Sequence, residues 1–451
     1  MDYKLTEQQQ QIYENIIEDI KEIKGGDIFG EHSWLSLKGQ AGTGKTFLNK
    51  QIAKTLLEMG FNIAVVAPTH QAVKVIRNTI GIQHKKLKFT SLHSFLGLKP
   101  GDINPETGER KFKRTAKKYL SGMAKEKFDI CILDESSMVS NELFKFLKEE
   151  MYQNNRIKSF LFVGDGFQLL PVGDEQGSHP IYDNPSINHY ELTELIRNSD
   201  MEIIEFVTKI RNMIENRFTK YDLFNFLVSE RDKGIHNKIK FYKTKKEFIK
   251  EFIKEDRLGK NDDIIGTFTN INVNMYNEKI RNYYVKDENG VIPEIHPEDL
   301  FVVQESTQDD LSFGQDAFVN SEILSLKQST FEDFNFKGKI FKGYKCITDD
   351  NRKFNMLAKE SKEDYKRTCE LLRLNAIKTK NRENWLMYYD LLKLFLDVRS
   401  QYASTLHKLQ GSSYRDIYVD LSDLGYVDDS MLLRLMYVGC TRAKRDVHIL
   451  L

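Results

Sequence analysis

Long hydrophobic runs are missing from this sequence. A helix crossing a bilayer needs roughly 20 apolar residues in a row, and no stretch of the 451 residues comes close, so a membrane-spanning role is not expected. The polar opening MDYKLTEQQQ lacks the apolar segment of a secretory leader. Cysteine is scarce. The four present, Cys131, Cys346, Cys369 and Cys440, show no paired spacing, which argues against a disulfide framework or a thiolate zinc site and fits reduced cytosolic thiols. The ten histidines show no ligand spacing either, so no structural metal is expected. Net charge is almost absent at +1 and by itself neither favours nor opposes a nucleic-acid partner. Internal repeats and low-complexity linkers are also lacking.

What is present divides the chain. At roughly 100–200 residues per domain, this length predicts three or four units. Hydrophobic content of 40% and charged content of 29% fit a globular protein. One block, residues 110–127, carries eight basic residues and one acid. It can track phosphates or form an ordinary solvated face, and composition alone leaves both open. Short apolar runs recur, each followed by chemically loaded residues: WLSL (34–37) before a glycine loop, IAVVAP (63–68) before Thr69 and His70, DICIL (129–133) before Asp134 and Glu135, FLFVG (160–164) before Asp165. Such runs, with helical stretches between them, predict buried parallel strands, and ligands bind at the carboxyl ends of strands in open sheets. A second series, DIIGTFT (263–269), DIYVDL (416–421) and DVHILL (446–451), predicts another α/β unit. Between them, 290–350 alternates as β-structure does and 360–398 has helical character.

The stretch GQAGTGKT (39–46) matches G-x-x-x-x-G-K-[ST] between a predicted strand and a predicted helix, the context a phosphate-binding loop requires. Gly39, Gln40, Ala41, Gly42, Thr43 and Gly44 would cradle phosphates with backbone N–H groups. Lys45 would reach the β- and γ-phosphates and Thr46 would ligate Mg²⁺. The alternative is a glycine turn with no ligand. In CILDESS, Asp134 ends a strand beside the expected metal, and Glu135 can position or deprotonate an attacking water. Together these predict hydrolysis of a bound nucleotide.

LTEQQ (5–9), GQAGTGKT, APTHQAV (67–73), TSLHSFLG (90–97), LDESSM (133–138), VGDGFQLLPV (163–172), LTELIRNS (192–199), YASTLHKLQGSSY (402–414) and MYVGCTRAKRDV (436–447) occur in that order. This set resembles the motifs of the superfamily 1 DNA helicases, in their RecD/Dda-type branch. The likeness is strong over 5–199 and 400–451, moderate at 266–281 and weak elsewhere.

The resemblance implies an α/β fold of two RecA-like P-loop domains, each with an insertion. A first motor domain would span 1–190 with a pin subdomain near 97–125. The second would span 191–290 and 399–451, interrupted by a small β-barrel and helical extension over 291–398. It further implies that Gln9 reads adenine, that Gln168 senses the γ-phosphate or the attacking water, and that Arg197 and Arg442 act as arginine fingers. Gln410 and Gly411 would complete the cleft. Thr69, His70, His93, Thr405 and His407 would line a single-stranded DNA track. Phe112 would stack at the fork from a hairpin at 101–114, or else pack that hairpin. The implied partners are single-stranded and forked DNA, with single-strand-binding or replication proteins, for a monomer in the bacterial or phage-infected cytosol. Movement in the 5′→3′ direction comes from the likeness alone. A translocase that separates strands poorly, a nucleotide-binding switch without turnover, and an RNA helicase are the other readings. Intact Lys45, Glu135 and Arg442 speak against the switch.

Overall fold

The computed structural model describes residues 4–24, 34–40, 42–100, 112–114, 122–171, 179–194, 201–304, 318–425 and 427–451. In chain order the first unit runs α1 (Glu7–Lys24), β1 (Trp34–Gly39), α2 (Lys45–Glu58), β2 (Ile63–Ala67), α3 (His70–Ile80), β3 (Leu87–Ser91), α4 (Leu92–Leu96), β4 (Leu98–Pro100), β5 (Phe112–Arg114), β6 (Phe128–Leu133), α5 (Asn141–Tyr152), β7 (Ile157–Gly164) and β8 (Asn188–Leu192). Six of these strands form one parallel sheet in the order β3-β2-β6-β7-β1-β8. Both faces are covered, so every residue of IAVVA in β2 is buried. Leu35, Leu37 and Val65 pack on one face with Leu48 and Ile52 of α2, while Trp34, Ala64 and Val66 pack on the other with Phe95 and Phe144.

The second unit runs α6 (Met201–Glu215), α7 (Lys220–Lys233), β9 (Ile239–Tyr242), α8 (Lys245–Phe252), β10 (Ile264–Thr267) and α9 (Asn270–Val285). An insert follows: β11 (Leu300–Val303), β12 (Ile323–Phe336), β13 (Lys339–Thr348), β14 (Lys353–Leu357), α10 (Lys362–Thr379), α11 (Arg382–Lys393) and β15 (Val398–Ser400). The unit then resumes with β16 (Ala403–Thr405), β17 (Tyr414–Asp420), α12 (Asp429–Thr441) and β18 (Ala443–Leu450). Its sheet is parallel in the order β16-β10-β17-β18-β9. The insert pairs antiparallel as β14-β13-β12-β11-β15. Its helices α10 and α11 pack on each other around Ala376 and Trp385.

In the first unit, β4 and β5 pair antiparallel, Leu98 opposite Arg114 and Pro100 opposite Phe112. Residues 101–111 and the side chain of Phe112 lie outside the described residues. Two three-residue strands are too short to hold themselves, and Arg114 anchors them by pairing with Glu149 and the fully buried Glu150 of α5. In the second sheet Asp416, Asp446 and His448 bring potential ligand atoms within 4.8 Å of one another. The chain's own cations occupy these carboxylates: Arg445 holds both oxygens of Asp416, and Lys240 holds Asp446.

Candidate nucleotide cleft and adjoining groove

The glycine loop joins β1 to α2. Gly42 and Gly44 have left-handed φ of 93° and 82°, which side chains resist. Gly39 is required for a different reason: a Cβ there would meet Thr43 Oγ1 at 2.7 Å. Ala41 lies outside the described residues. Lys45 Nζ donates to the carbonyls of Gly39 (2.6 Å) and Gln40 (2.9 Å), so the lysine folds back across its own loop. Gln9 on α1 is buried and donates from Nε2 to the Thr43 carbonyl at 3.1 Å, which fastens that helix to the loop.

Three carboxylates converge on Lys45. Desolvation lowers its pKa; Asp165, Glu135 and Asp134 oppose that, and Arg442 of the second unit adds to it. Asp134 follows β6 and Glu135 takes a left-handed φ of 51°. Burial and the adjacent Glu135 push Asp134 up to about 7. This is the donor set a divalent cation fits, because its charge relieves both causes of the shift. The residues after Glu135 are held from behind. Ser136 Oγ donates to the Val163 carbonyl and is 2.8 Å from the Tyr182 hydroxyl, while His179 Nε2 lies 3.1 Å from the Ser137 carbonyl.

The second unit closes the cleft. Gln410 Nε2 donates to Gln168 Oε1 (3.0 Å) and to Ser137 Oγ (3.2 Å). On α12, Arg434 Nη1 donates to the carbonyls of Gly166 (2.7 Å) and Gln168 (2.6 Å), and Tyr437 Oη donates to Asp165 Oδ2 (2.7 Å). Arg442 ends that helix, donating to the carbonyls of Val438 and Ser412. Arg197 lies outside the described residues. Asp165 had been noted only as a polar residue at a strand end, and His179, Tyr182, Arg434 and Tyr437 were not among the residues the sequence singled out for this site. Arg434 and Tyr437 carried one usable signal, polar groups three apart in an otherwise apolar helix, hence on one face.

Of the residues read as a DNA track, Thr69 and His93 stand at the carboxyl ends of neighbouring strands, β2 and β3. Thr69 also caps α3, accepting from Ala72 N at 3.1 Å. His70 opens α3, with its side chain outside the described residues. Thr405 ends β16, and the His407 ring lies 5.7 Å from that of Phe268. A groove of about 320 Å³ opens here, lined by Val75 of the first unit, by Asn270, Thr405 and Gly411 of the second, and by Gln304 and Arg399 of the insert and its exit strand. Gly411 belongs to both places, for a Cβ on it would lie 4.0 Å from Glu135 Oε1.

The chain matches an AAA domain over residues 26–227 and a UvrD-like helicase C-terminal domain over 400–450. It is 27% identical to the ATP-dependent DNA helicase dda of Enterobacteria phage T4 over 478 aligned residues, covering 98% of each chain. Among solved structures it resembles a Pif1 helicase studied for unwinding of forked double-stranded DNA, at 17% identity, with a TM-score of 0.52 over 99% of this chain and 92% of that one. A Bacteroides Pif1 helicase in complex with ADP-AlF3 and single-stranded DNA gives the same TM-score and coverage at 16% identity. These likenesses identify the fold as two RecA-like units.

Proposed function

We propose that this chain, a member of the Dda/Pif1-like branch of the superfamily 1 helicases, uses ATP hydrolysis to move along single-stranded DNA in the 5′→3′ direction and to separate the duplex ahead. The observation that carries this reading is the double position of Gly411, on the groove wall and against Glu135. Gly411 thereby places the nucleotide cleft and the groove side by side. Lys45 and the loop amides hold the β- and γ-phosphates, Gln9 reads the base, and Glu135 takes a proton from a water aligned by Gln168. Arg442 and Arg197 stabilise charge on the transferred phosphoryl group. Thr46 and Asp134 are the residues that would hold Mg²⁺, which when bound neutralises charge on the phosphate oxygens. Thr69, His70, His93, Thr405 and His407 hydrogen-bond DNA phosphates without reading sequence. Phe112, at the base of the hairpin, meets the fork. Both cleft-forming sheets belong to one chain, so a single copy suffices for turnover.

Steady-state ATP turnover with and without single-stranded DNA tests this, followed by strand separation on duplexes with a 5′ or a 3′ tail. DNA-stimulated turnover and separation of the 5′-tailed duplex are expected. Turnover indifferent to DNA removes the reading, and preference for the 3′ tail removes the polarity.

A further inference from the structure

Asp423 lies in the turn between β17 and α12, outside every motif that carried the family resemblance. Its carboxylate gathers donors from one short segment far away in sequence. Oδ2 accepts from Thr267 Oγ1 (3.0 Å), Thr269 N (2.8 Å), Thr269 Oγ1 (2.7 Å) and Asn272 Nδ2 (2.8 Å), and Oδ1 accepts from Phe268 N (3.3 Å). This is not a cap for α9. Thr269 already does that, its Oγ1 accepting from Asn272 N at 3.3 Å. Asp423 instead ties the turn that enters α9 to the exit of the neighbouring strand β17.

That turn leads into the groove. Asn270 follows it, and Asn270 Oδ1 accepts from Arg399 Nη1 at 2.8 Å; both residues line the groove wall. In the other direction, the Asp423 turn runs into α12, whose Arg434 and Tyr437 grip Gly166, Gln168 and Asp165 on the nucleotide side. Oδ2 accepts four of these hydrogen bonds and Oδ1 the fifth, so the side chain acts here as an acceptor throughout. One residue thus holds together the two ends of a path from cleft to groove.

We propose that Asp423 is a positioning residue that fixes the entrance turn of α9, and with it Asn270 and Arg399, so that movement of α12 at the nucleotide is carried to the DNA. The inference rests on the function proposed above.

ATP turnover of Asp423→Ala is compared with the parent, first without DNA and then against increasing oligo(dT) at saturating ATP. DNA-free turnover and the KM for ATP should stay within about twofold. The oligo(dT) concentration giving half-maximal stimulation should rise about tenfold, the order expected for losing hydrogen bonds. Asn272→Ala removes one donor, leaves the Thr269 cap in place, and should raise the same concentration by a smaller factor; it decides the matter should Asp423→Ala fail to fold. The inference is overturned if half-stimulating concentrations stay at the parent value, or if DNA-free and DNA-stimulated turnover fall in proportion. Turnover of the parent that ignores oligo(dT) would overturn the function instead, and that is read on the unaltered protein.

Discussion

The surroundings of Asp134 favour its protonated form more than water does. Its pKa is raised from 3.8 to about 7, first by burial and then by Glu135. A raised pKa in the folded state favours folding at low pH, and that contribution is lost as pH rises through the folded value. Between about pH 4 and 7 the protein without nucleotide or metal therefore loses stability from this residue as pH rises. Asp134→Asn cannot ionise, so its denaturant midpoint should exceed that of the parent at pH 8 and approach it at pH 4. Equal differences at both pH values would remove the assignment of a raised pKa to Asp134. Lys45→Ala should abolish turnover, because the phosphoryl group loses its nearest cation. Glu135→Gln changes only the group that accepts a proton, so it should keep nucleotide binding while turnover falls by about 10²–10⁴-fold. Near-normal turnover in Glu135→Gln would put the base elsewhere.

Among the elements, the central strands were legible in the sequence and the edge strands were not. The apolar runs that predicted strands became β1, β2, β6 and β7 in the first sheet and β10, β17 and β18 in the second, where neighbours on both sides and helices on the faces exclude water. The strands not foreseen, β3, β8, β9 and β16, are the edges of those sheets. Half-exposed edges tolerate polar residues, as NHYEL in β8 shows, and so give no apolar run to read. The turn residues that predicted a hairpin over 101–114 lie outside the described residues, though β4 and β5 on either side of them pair antiparallel; the anchor was not legible, since nothing in the order of residues pairs Arg114 with Glu150. Because β4 and β5 stand apart from both parallel sheets, strand separation should be separable from turnover. Phe112→Ala, or a Gly-Ser link in place of 102–113, should leave DNA-stimulated ATP turnover largely intact and reduce unwinding of a tailed duplex by about tenfold or more. Loss of both together would make the hairpin part of the motor.

In the whole molecule, the loop and the Asp134–Glu135 pair were legible because each is a local pattern with a known chemical task. Gln410 was expected at the cleft and bonds Gln168 there; the contacts of Arg434 and Tyr437 were not legible, because they join α12 to a loop made long before it in the chain. Arg434 is the main such contact, its guanidinium satisfying two backbone carbonyls of the other unit. Arg434→Ala should let the two units separate, and small-angle scattering of the nucleotide-free protein should then give a larger radius of gyration. An unchanged radius would mean that Gln410 and Tyr437 suffice to hold the cleft.

The strand order of the second sheet also fixes when this protein can finish folding. The first sheet needs nothing beyond Leu192, so it can be complete while most of the chain is still on the ribosome. The second cannot. β9 and β10 leave the ribosome early, but the strands that stand between them, β17 and β18, are translated only after the insert. Until then the edges of β10 and β9 that these strands will cover stay unpaired, with the whole insert made in the meantime. A chain ended at Ser413 should accordingly yield a first unit that resists limited proteolysis and a segment, 201–285, that is cut readily. Protection of 201–285 in that truncated chain would mean that the early strands find another partner while they wait.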